Sequence, residues 1–230
     1  MHIEKENSSW NFNGIANEFV EHARRSIPGY DDGHDIIARY SDFFCSGSTN
    51  VLDIGSSTGL LLKKIAARHS KNVGLSFIGI EPVQDMFEYA VKCNKDARIS
   101  FENESIQNIT LPTSNLIVSY YTMQFISPSI RQSIFRQMYD ALQWGGALII
   151  FEKVRAPDAR FQDYATQVYT EFKLENQFQE SEIINKSRSL KGVMEPFSSE
   201  ANRQLLERAG FSDITNVYKW VCFEGFLAIK

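Results

Sequence analysis

This 230-residue chain is predicted to adopt an α/β fold, a mostly parallel, doubly wound sheet with an antiparallel C-terminal strand, on three observations. First, from Asn50 to Lys153 apolar segments alternate between strand-like and helix-like periodicity, the pattern of successive βα units. Second, the strand Val51-Leu-Asp-Ile54 runs into a glycine-bracketed turn, Gly55-Ser-Ser-Thr-Gly59, that opens directly into the apolar-periodic helix beginning Leu60-Leu-Leu62. Third, the alternation stops after Glu152, where a polar helical stretch is followed by a helix and two β segments.

The elements follow in order within one predicted domain, 1–230. A helical lid occupies 1–48, because apolar positions recur at helical spacing from Asn13 to Phe44 and Ser26-Ile-Pro-Gly-Tyr30 forces a turn between two helices. A core occupies 49–153: strand 51–54, helix 59–68, strand 75–81, helix 83–93, strands 98–102 and 115–120, helix 128–142 and strand 147–152. Trp144-Gly-Gly146 is expected to stop the last of these helices, since glycine adopts the left-handed conformation that ends helices. A helical insertion at 154–196, polar and poor in turns over 160–192, is expected to cover the carboxyl edge of the sheet, where insertions shape substrate sites. The C-terminal part, 197–230, reads as helix 198–209 followed by a hairpin of Ile214–Trp220 and Cys222–Ile229.

Composition narrows the function. At 43% hydrophobic the chain can bury one sizeable core, and a formal net charge of −4 offers no general attraction to phosphate backbones, so direct nucleic-acid binding is not expected. Cys45, Cys93 and Cys222 are widely spaced and odd in number, which predicts neither a disulfide framework nor a metal site. Met1 to Trp10 is polar where a signal peptide needs an apolar run, and no later run is long enough to cross a bilayer; a soluble cytoplasmic protein without membrane contact is expected.

The glycine-bracketed turn carries the chemistry. Gly55 can adopt φ values closed to other residues and Gly59 allows close packing of helix on strand, so backbone amides are expected to approach a ligand. Roughly twenty residues further on, the strand Phe77-Ile-Gly-Ile-Glu81 ends in a carboxylate, the spacing of a ribose-binding acid. The turn lacks the middle glycine that approaches a pyrophosphate, so a nucleoside without phosphates is expected and a nicotinamide dinucleotide is disfavoured. Asp53 is read either as a brace for the loop or as a contact to the amino group of the cofactor.

In these residues the chain resembles the class I S-adenosylmethionine (SAM)-dependent methyltransferases, with Leu52-Asp-Ile-Gly-Ser-Ser-Thr-Gly59 as first motif, Glu81 as ribose acid and Trp144-Gly-Gly146 before the fifth strand. More narrowly, Ser26-Ile-Pro-Gly-Tyr30, Tyr121-Thr-Met-Gln-Phe125, Gly145 to Lys153, Gly192-Val-Met194, Ala209-Gly-Phe211 and Cys222-Phe-Glu-Gly-Phe226 resemble the carboxy-S-adenosylmethionine synthases, from about Phe12 to Lys230. That family carboxylates the methyl group of SAM with prephenate, for wobble-uridine modification of tRNA. The resemblance implies a Rossmann-like class I methyltransferase fold, SAM as cofactor and a homodimer. It implies cofactor contacts at Tyr30, Gly55, Ser56, Ser57, Glu81, Pro82, Ser105, Ile106 and Tyr120; Asp53 and Gly59 join them from the motif itself.

The chain also departs from the family. Glu81-Pro82 stands for the usual Asp-Asn, Ser105-Ile106 for Asp-Ile beside the adenine, and Tyr120 for an asparagine. Ser187 falls where the resemblance places an arginine that pairs with the carboxylate added to the cofactor, and Arg188 is one position off, about 100° round a helix. Methyl transfer to a small-molecule acceptor is therefore the reading drawn from the sequence. Its alternatives are a carboxy-S-adenosylmethionine synthase using SAM and prephenate, and a non-catalytic cofactor-binding module. Arg25, Tyr121, Gln124 and Arg188 are the substrate-side candidates, and no catalytic acid or base is assigned, because a sulfonium is already an activated leaving group. Glu152 and Lys153 end the fifth strand, as site residues or where the strand meets solvent. His22, His34 and His69 show no ligand spacing and are expected at the surface.

Overall fold

In a computed structural model, described here for residues 9–230, seven strands form one sheet in the order β3-β2-β1-β4-β5-β7-β6. Met1 to Ser8, part of the segment read above as lacking a signal peptide, lies outside the described residues. The strands are β1 (Thr49–Ile54), β2 (Leu75–Ile80), β3 (Ile99–Glu102), β4 (Ser114–Tyr120), β5 (Leu142–Lys153), β6 (Asp213–Trp220) and β7 (Phe223–Ile229). Strands β1 to β5 pair in parallel, and β7 runs antiparallel between β5 and β6. The predicted fold class and the antiparallel C-terminal strand are both found.

Both faces of the sheet are buried, which is why its strands read as nearly continuous apolar runs. Val51, Phe77, Val118, Ile149 and Phe151 pack on one face with Leu62 and Ile65, and Leu52, Ile54, Ile117, Leu148 and Ile150 pack on the other with Phe135 and Leu206. The period of two along each strand divides them. Truncating Leu62 to Ala would cost about 2–5 kcal/mol, the range for a fully buried leucine.

The helices are α1 (Phe19–Ser26), α2 (Tyr30–Tyr40), α3 (Leu60–Arg68), α4 (Gln84–Cys93), α5 (Pro128–Ala141), α6 (Ala159–Glu175), α7 (Glu180–Ser189) and α8 (Ser199–Ala209). Helices α1 and α2 meet at the Pro-Gly turn, as expected. Helix α6 starts at Asp158, whose side chain accepts from the Phe161 amide, and α8 starts at Ser198, which accepts from Ala201.

One boundary is corrected. Helix α5 ends at Ala141, and Leu142 is already extended at ψ 141°, so Trp144-Gly145-Gly146 does not cap it. The glycines lie inside β5, where the pairing with β4 shifts register: Ser114 faces Leu142 but Leu116 faces Ala147. Gly145 takes φ +79°, and a Cβ on Gly146 would sit 2.9 Å from the Gln143 carbonyl oxygen. These residues accommodate a register shift within an interior strand rather than a helix end.

Candidate cofactor and substrate cavity

At the carboxyl ends of β1 and β4, where the strand order reverses, a cavity of about 1280 Å³ opens and extends under α1, α6 and α7. That exceeds the roughly 300–1,000 Å³ typical of a site for one small molecule. There is room for a cofactor and a second ligand.

The turn after β1 is built differently from the expectation. Gly55 at φ +74° and Ser57 at φ +50° bend the chain into the left-handed region, but the Gly55 and Ser56 amides donate to the Ile80 carbonyl at 2.8 and 3.2 Å. The Ser57 amide donates to Glu81 Oε2 at 2.7 Å, and Glu81 Oε1 accepts from Val83 at 2.9 Å. These three amides are spent on the protein itself, so the loop contributes shape rather than an anion cradle. Burial raises the Glu81 pKa, and the Val83 and Ser57 amides oppose that shift.

Asp53 stands out beside it. The side chain is 1% exposed, and neither carboxylate oxygen has a hydrogen-bond partner among the described residues. Burial first, and the neighbouring Glu81 second, push its pKa up to about 7. A buried, unpartnered carboxylate is costly until a cation or donor reaches it. Ser56 lines the same cavity, and its buried hydroxyl, close against Gly79, has no partner among the described residues. SAM fits these residues: its ammonium suits Asp53, and its ribose hydroxyls suit Glu81.

Tyrosines form the next wall. Rings of Tyr30, His34, Tyr120 and Tyr121 pack in sequence, with centroids 4.6 Å apart for Tyr30–His34, 4.7 Å for His34–Tyr120 and 4.6 Å for Tyr120–Tyr121. Tyr120 donates its hydroxyl to the Tyr30 carbonyl at 2.7 Å, tying the lid to β4. Tyr121 holds φ +58°, sparsely populated for a tyrosine, and its buried hydroxyl has no partner among the described residues. His34, expected at the surface, is 2% exposed on this wall, and burial lowers its pKa to about 4. His22 also lines the cavity; His69 instead bonds to Ser41, half-buried behind β1.

The cavity is also lined by Lys153, Lys173 and Lys186. Lys153 and Lys173 lie over the Tyr169 ring, with Nζ 4.2 and 4.5 Å from its centroid, and Lys186 lies over Trp10. None of the three has a carboxylate partner among the described residues. Burial lowers all three pKa values, to about 8 for Lys173 and about 7 for Lys186. Arg25 lines the cavity too, but its guanidinium donates to the Asn176 and Gln177 carbonyls at 3.0 and 2.9 Å, closing the end of α6. Gln124 is a brace: its Oε1 accepts from the Lys153 amide at 2.9 Å.

Of the residues singled out from sequence, Tyr30, Asp53, Gly55, Ser56, Ser57, Glu81, Pro82, Tyr120, Tyr121, Gln124 and Arg25 share this cavity. Four lie outside its wall. Gly59 caps α3, where a Cβ would meet the Phe101 ring at 2.6 Å, so it serves packing. Ile106 is buried among Leu111 and Ile134 in the core, and the Ser105 amide bonds to Glu104. Arg188 is exposed off the cavity wall, while Ser187 lines it. Glu152 is not where a strand meets solvent: it is 2% exposed, accepts from the Met123 amide, and burial pushes its pKa up to about 8. The sequence reading missed Lys173, Lys186 and Tyr169; the signal available was their helical spacing on the insertion, which does not say which face is turned inward.

Comparison with known proteins agrees with this architecture. A methyltransferase-domain family model matches residues 51–146. A carboxy-S-adenosyl-L-methionine synthase of Staphylococcus epidermidis is 37% identical over 223 residues, covering 96% of this chain and 97% of that protein. One of the same name from Desulfotalea psychrophila is 30% identical over 220 residues, covering 94% and 89%. Among solved structures, human N-acetylserotonin methyltransferase in complex with SAM superposes with a TM-score of 0.62 at 15% identity, over 94% of this chain and 56% of that one, a likeness of fold. The chain is a SAM-dependent transferase carrying a methyltransferase domain, and it belongs to the carboxy-S-adenosyl-L-methionine synthase family.

Proposed function

We propose that the protein carboxylates the methyl carbon of SAM with a small carboxylate donor, prephenate, held in the same cavity. The observation that carries this is a set of lysines in the wall: Lys153, Lys173 and Lys186, from β5, α6 and α7, line the same cavity as Asp53 and Glu81, and none is ion-paired with a carboxylate among the described residues, although Glu182 and Glu195 also line it. Unpaired, partly desolvated ammoniums suit an anionic second substrate. The names of the near full-length relatives support the reaction. SAM, when bound, would supply an acidified methyl group: a methyl C–H bond would break and a C–C bond form to the carboxyl carbon of the donor, whose ring–carboxyl bond breaks as hydroxide leaves the ring, so that the methyl proton and the hydroxide depart as water and the donor is left aromatic as phenylpyruvate. Asp53 and Ser56 hold the amino-acid end, Glu81 and Pro82 the ribose, and Tyr30, Tyr120 and Tyr121 enclose the sulfonium. Lys186, one residue before Ser187, supplies the cation that the family resemblance assigns to an arginine.

Methyl transfer to a small-molecule acceptor is the second reading, favoured by Ser187 on the cavity wall and Arg188 off it. In that reaction the protein aligns the acceptor with the methyl group and excludes water.

The test is incubation of the purified protein with SAM and prephenate, followed by mass spectrometry. Carboxy-S-adenosylmethionine is expected. S-adenosylhomocysteine with a methylated acceptor, and no carboxylated cofactor, would replace the first reading with the second.

Residues 1–230 work as one domain in the cytoplasm, without contact to nucleic acid, and pair as a homodimer through α6. Its exposed Phe161, Tyr164 and Val168, spaced three and four apart on one face, support the pairing. Sedimentation velocity tests it, with Tyr164→Glu expected to shift the protein to monomer.

A further inference from the structure

We infer that Lys153 and Lys173, both held over the ring of Tyr169, form the receptor for a carboxylate group of the second substrate. The inference rests on the reading of the cavity as holding a small anionic molecule beside SAM, and it assigns the residues that recognise it.

The two lysines come from different parts of the fold. Lys153 ends β5, and Lys173 is in the last turn of the insertion helix α6, so neither neighbours the other in sequence and only docking of α6 over the sheet brings them together. Tyr169 is the common platform. Its ring lies within 4.2 Å of Lys153 Nζ and 4.5 Å of Lys173 Nζ, and it packs edge-on against Phe223 with centroids 5.1 Å apart. Its hydroxyl donates to the Ser26 carbonyl at 2.9 Å, so the platform is fastened to the turn of the lid.

Two ammoniums over one ring repel each other, and each has lost part of its hydration. Burial lowers both pKa values; Lys153 lowers that of Lys173 further, and Arg155 and Lys191 lower that of Lys153, while Cys222 opposes both shifts. Cation–π attraction recovers about 0.5–2 kcal/mol per contact. What the pair lacks among the described residues is a carboxylate: Arg155 pairs with Glu195, and the buried Glu224 takes Lys219 instead. An anion between the two lysines would supply charge-assisted hydrogen bonds to both. A surface lysine pair would instead be met by water, but these two, with Cys222 and Phe223, line the same cavity as Asp53 and Glu81.

Calorimetric titration of the protein saturated with S-adenosylhomocysteine, using prephenate and the plain carboxylate benzoate as probes, tests the assignment. Lys153→Gln and Lys173→Gln are each expected to weaken both probes by roughly 10-fold or more, the size of one lost charge-assisted bond. S-adenosylhomocysteine affinity should stay within about twofold, reporting an intact fold, and Lys173→Arg should keep most of the anion affinity, as a retained charge can still pair. Undiminished binding of both probes by the Gln variants overturns the receptor, as does a parent protein that binds neither. Should benzoate bind in a lysine-dependent way while prephenate binds no better, the carboxylate receptor stands and prephenate as donor falls. If Lys153→Gln loses S-adenosylhomocysteine as well, Lys173→Gln alone decides, because it is on a helix outside the core.

Discussion

The two ends of the cavity are made in opposite ways. At the β1–β2 end the acids Asp53 and Glu81 sit on strand termini joined by short local turns, and the Glu81 carboxylate latches the loop that Ser57 belongs to. At the far end the lysines hang from β5, α6 and α7, brought together by the docking of an insertion onto the sheet. The first end is a short-range device that survives changes elsewhere; the second depends on how two helices lie on the rest of the molecule. A cofactor shared by many enzymes can be bound by the first kind of site, whereas a particular second substrate is selected by the second.

That contrast can be broken from either side. The largest effect is expected for Glu81→Ala, which removes the proposed ribose acid and the acceptor of two backbone amides together. SAM affinity should fall on the order of 100-fold, from two charge-assisted bonds, as measured by calorimetry. A loss below threefold would mean that the acid only braces the loop.

Asp53→Asn should weaken SAM by about 10-fold yet stabilise the ligand-free protein. The sign follows from a folded pKa raised from 3.8 to about 7. Folding disfavours the ionised form, so the cost is absent below about pH 4, grows as pH rises through that window, and is complete above about pH 7. Removing the charge should then raise the melting temperature at pH 8 by several degrees, about 1–2 kcal/mol, and leave it unchanged at pH 3.5. Equal melting temperatures at pH 8 would show Asp53 to be already satisfied.

A smaller effect is expected on the lysine end from pH alone. With Lys186 at about 7 and Lys173 at about 8, the cationic forms are lost as pH rises through those values, so affinity for the second substrate should drop about fivefold between pH 7 and 9. In Lys173→Gln the upper part of that decline should disappear. The least effect belongs to Arg188→Ala: with its side chain off the cavity wall, both SAM and prephenate should bind within about twofold of the parent. A tenfold loss of prephenate would put Arg188 back at the carboxylate.

The sequence by itself determined the order of strands and helices, the position of the glycine turn, and the acids at the ends of β1 and β2. These follow from local periodicity and fixed spacing, which hold wherever the element packs. Even so, it assigned Trp144-Gly145-Gly146 to a helix end, because a left-handed glycine in a β irregularity has the same one-letter signature as a cap. It expected the backbone amides of the glycine turn to approach a ligand, although the Ile80 carbonyl of the neighbouring strand accepts from those of Gly55 and Ser56. It left His34 at the surface, and it could not say that Ser187 lines the cavity while Arg188 does not. Only the tertiary structure decided those matters, since which face of an amphipathic insertion turns inward, and which of two adjacent residues a helix presents to a cavity 100° away, depend on packing between segments far apart in the chain.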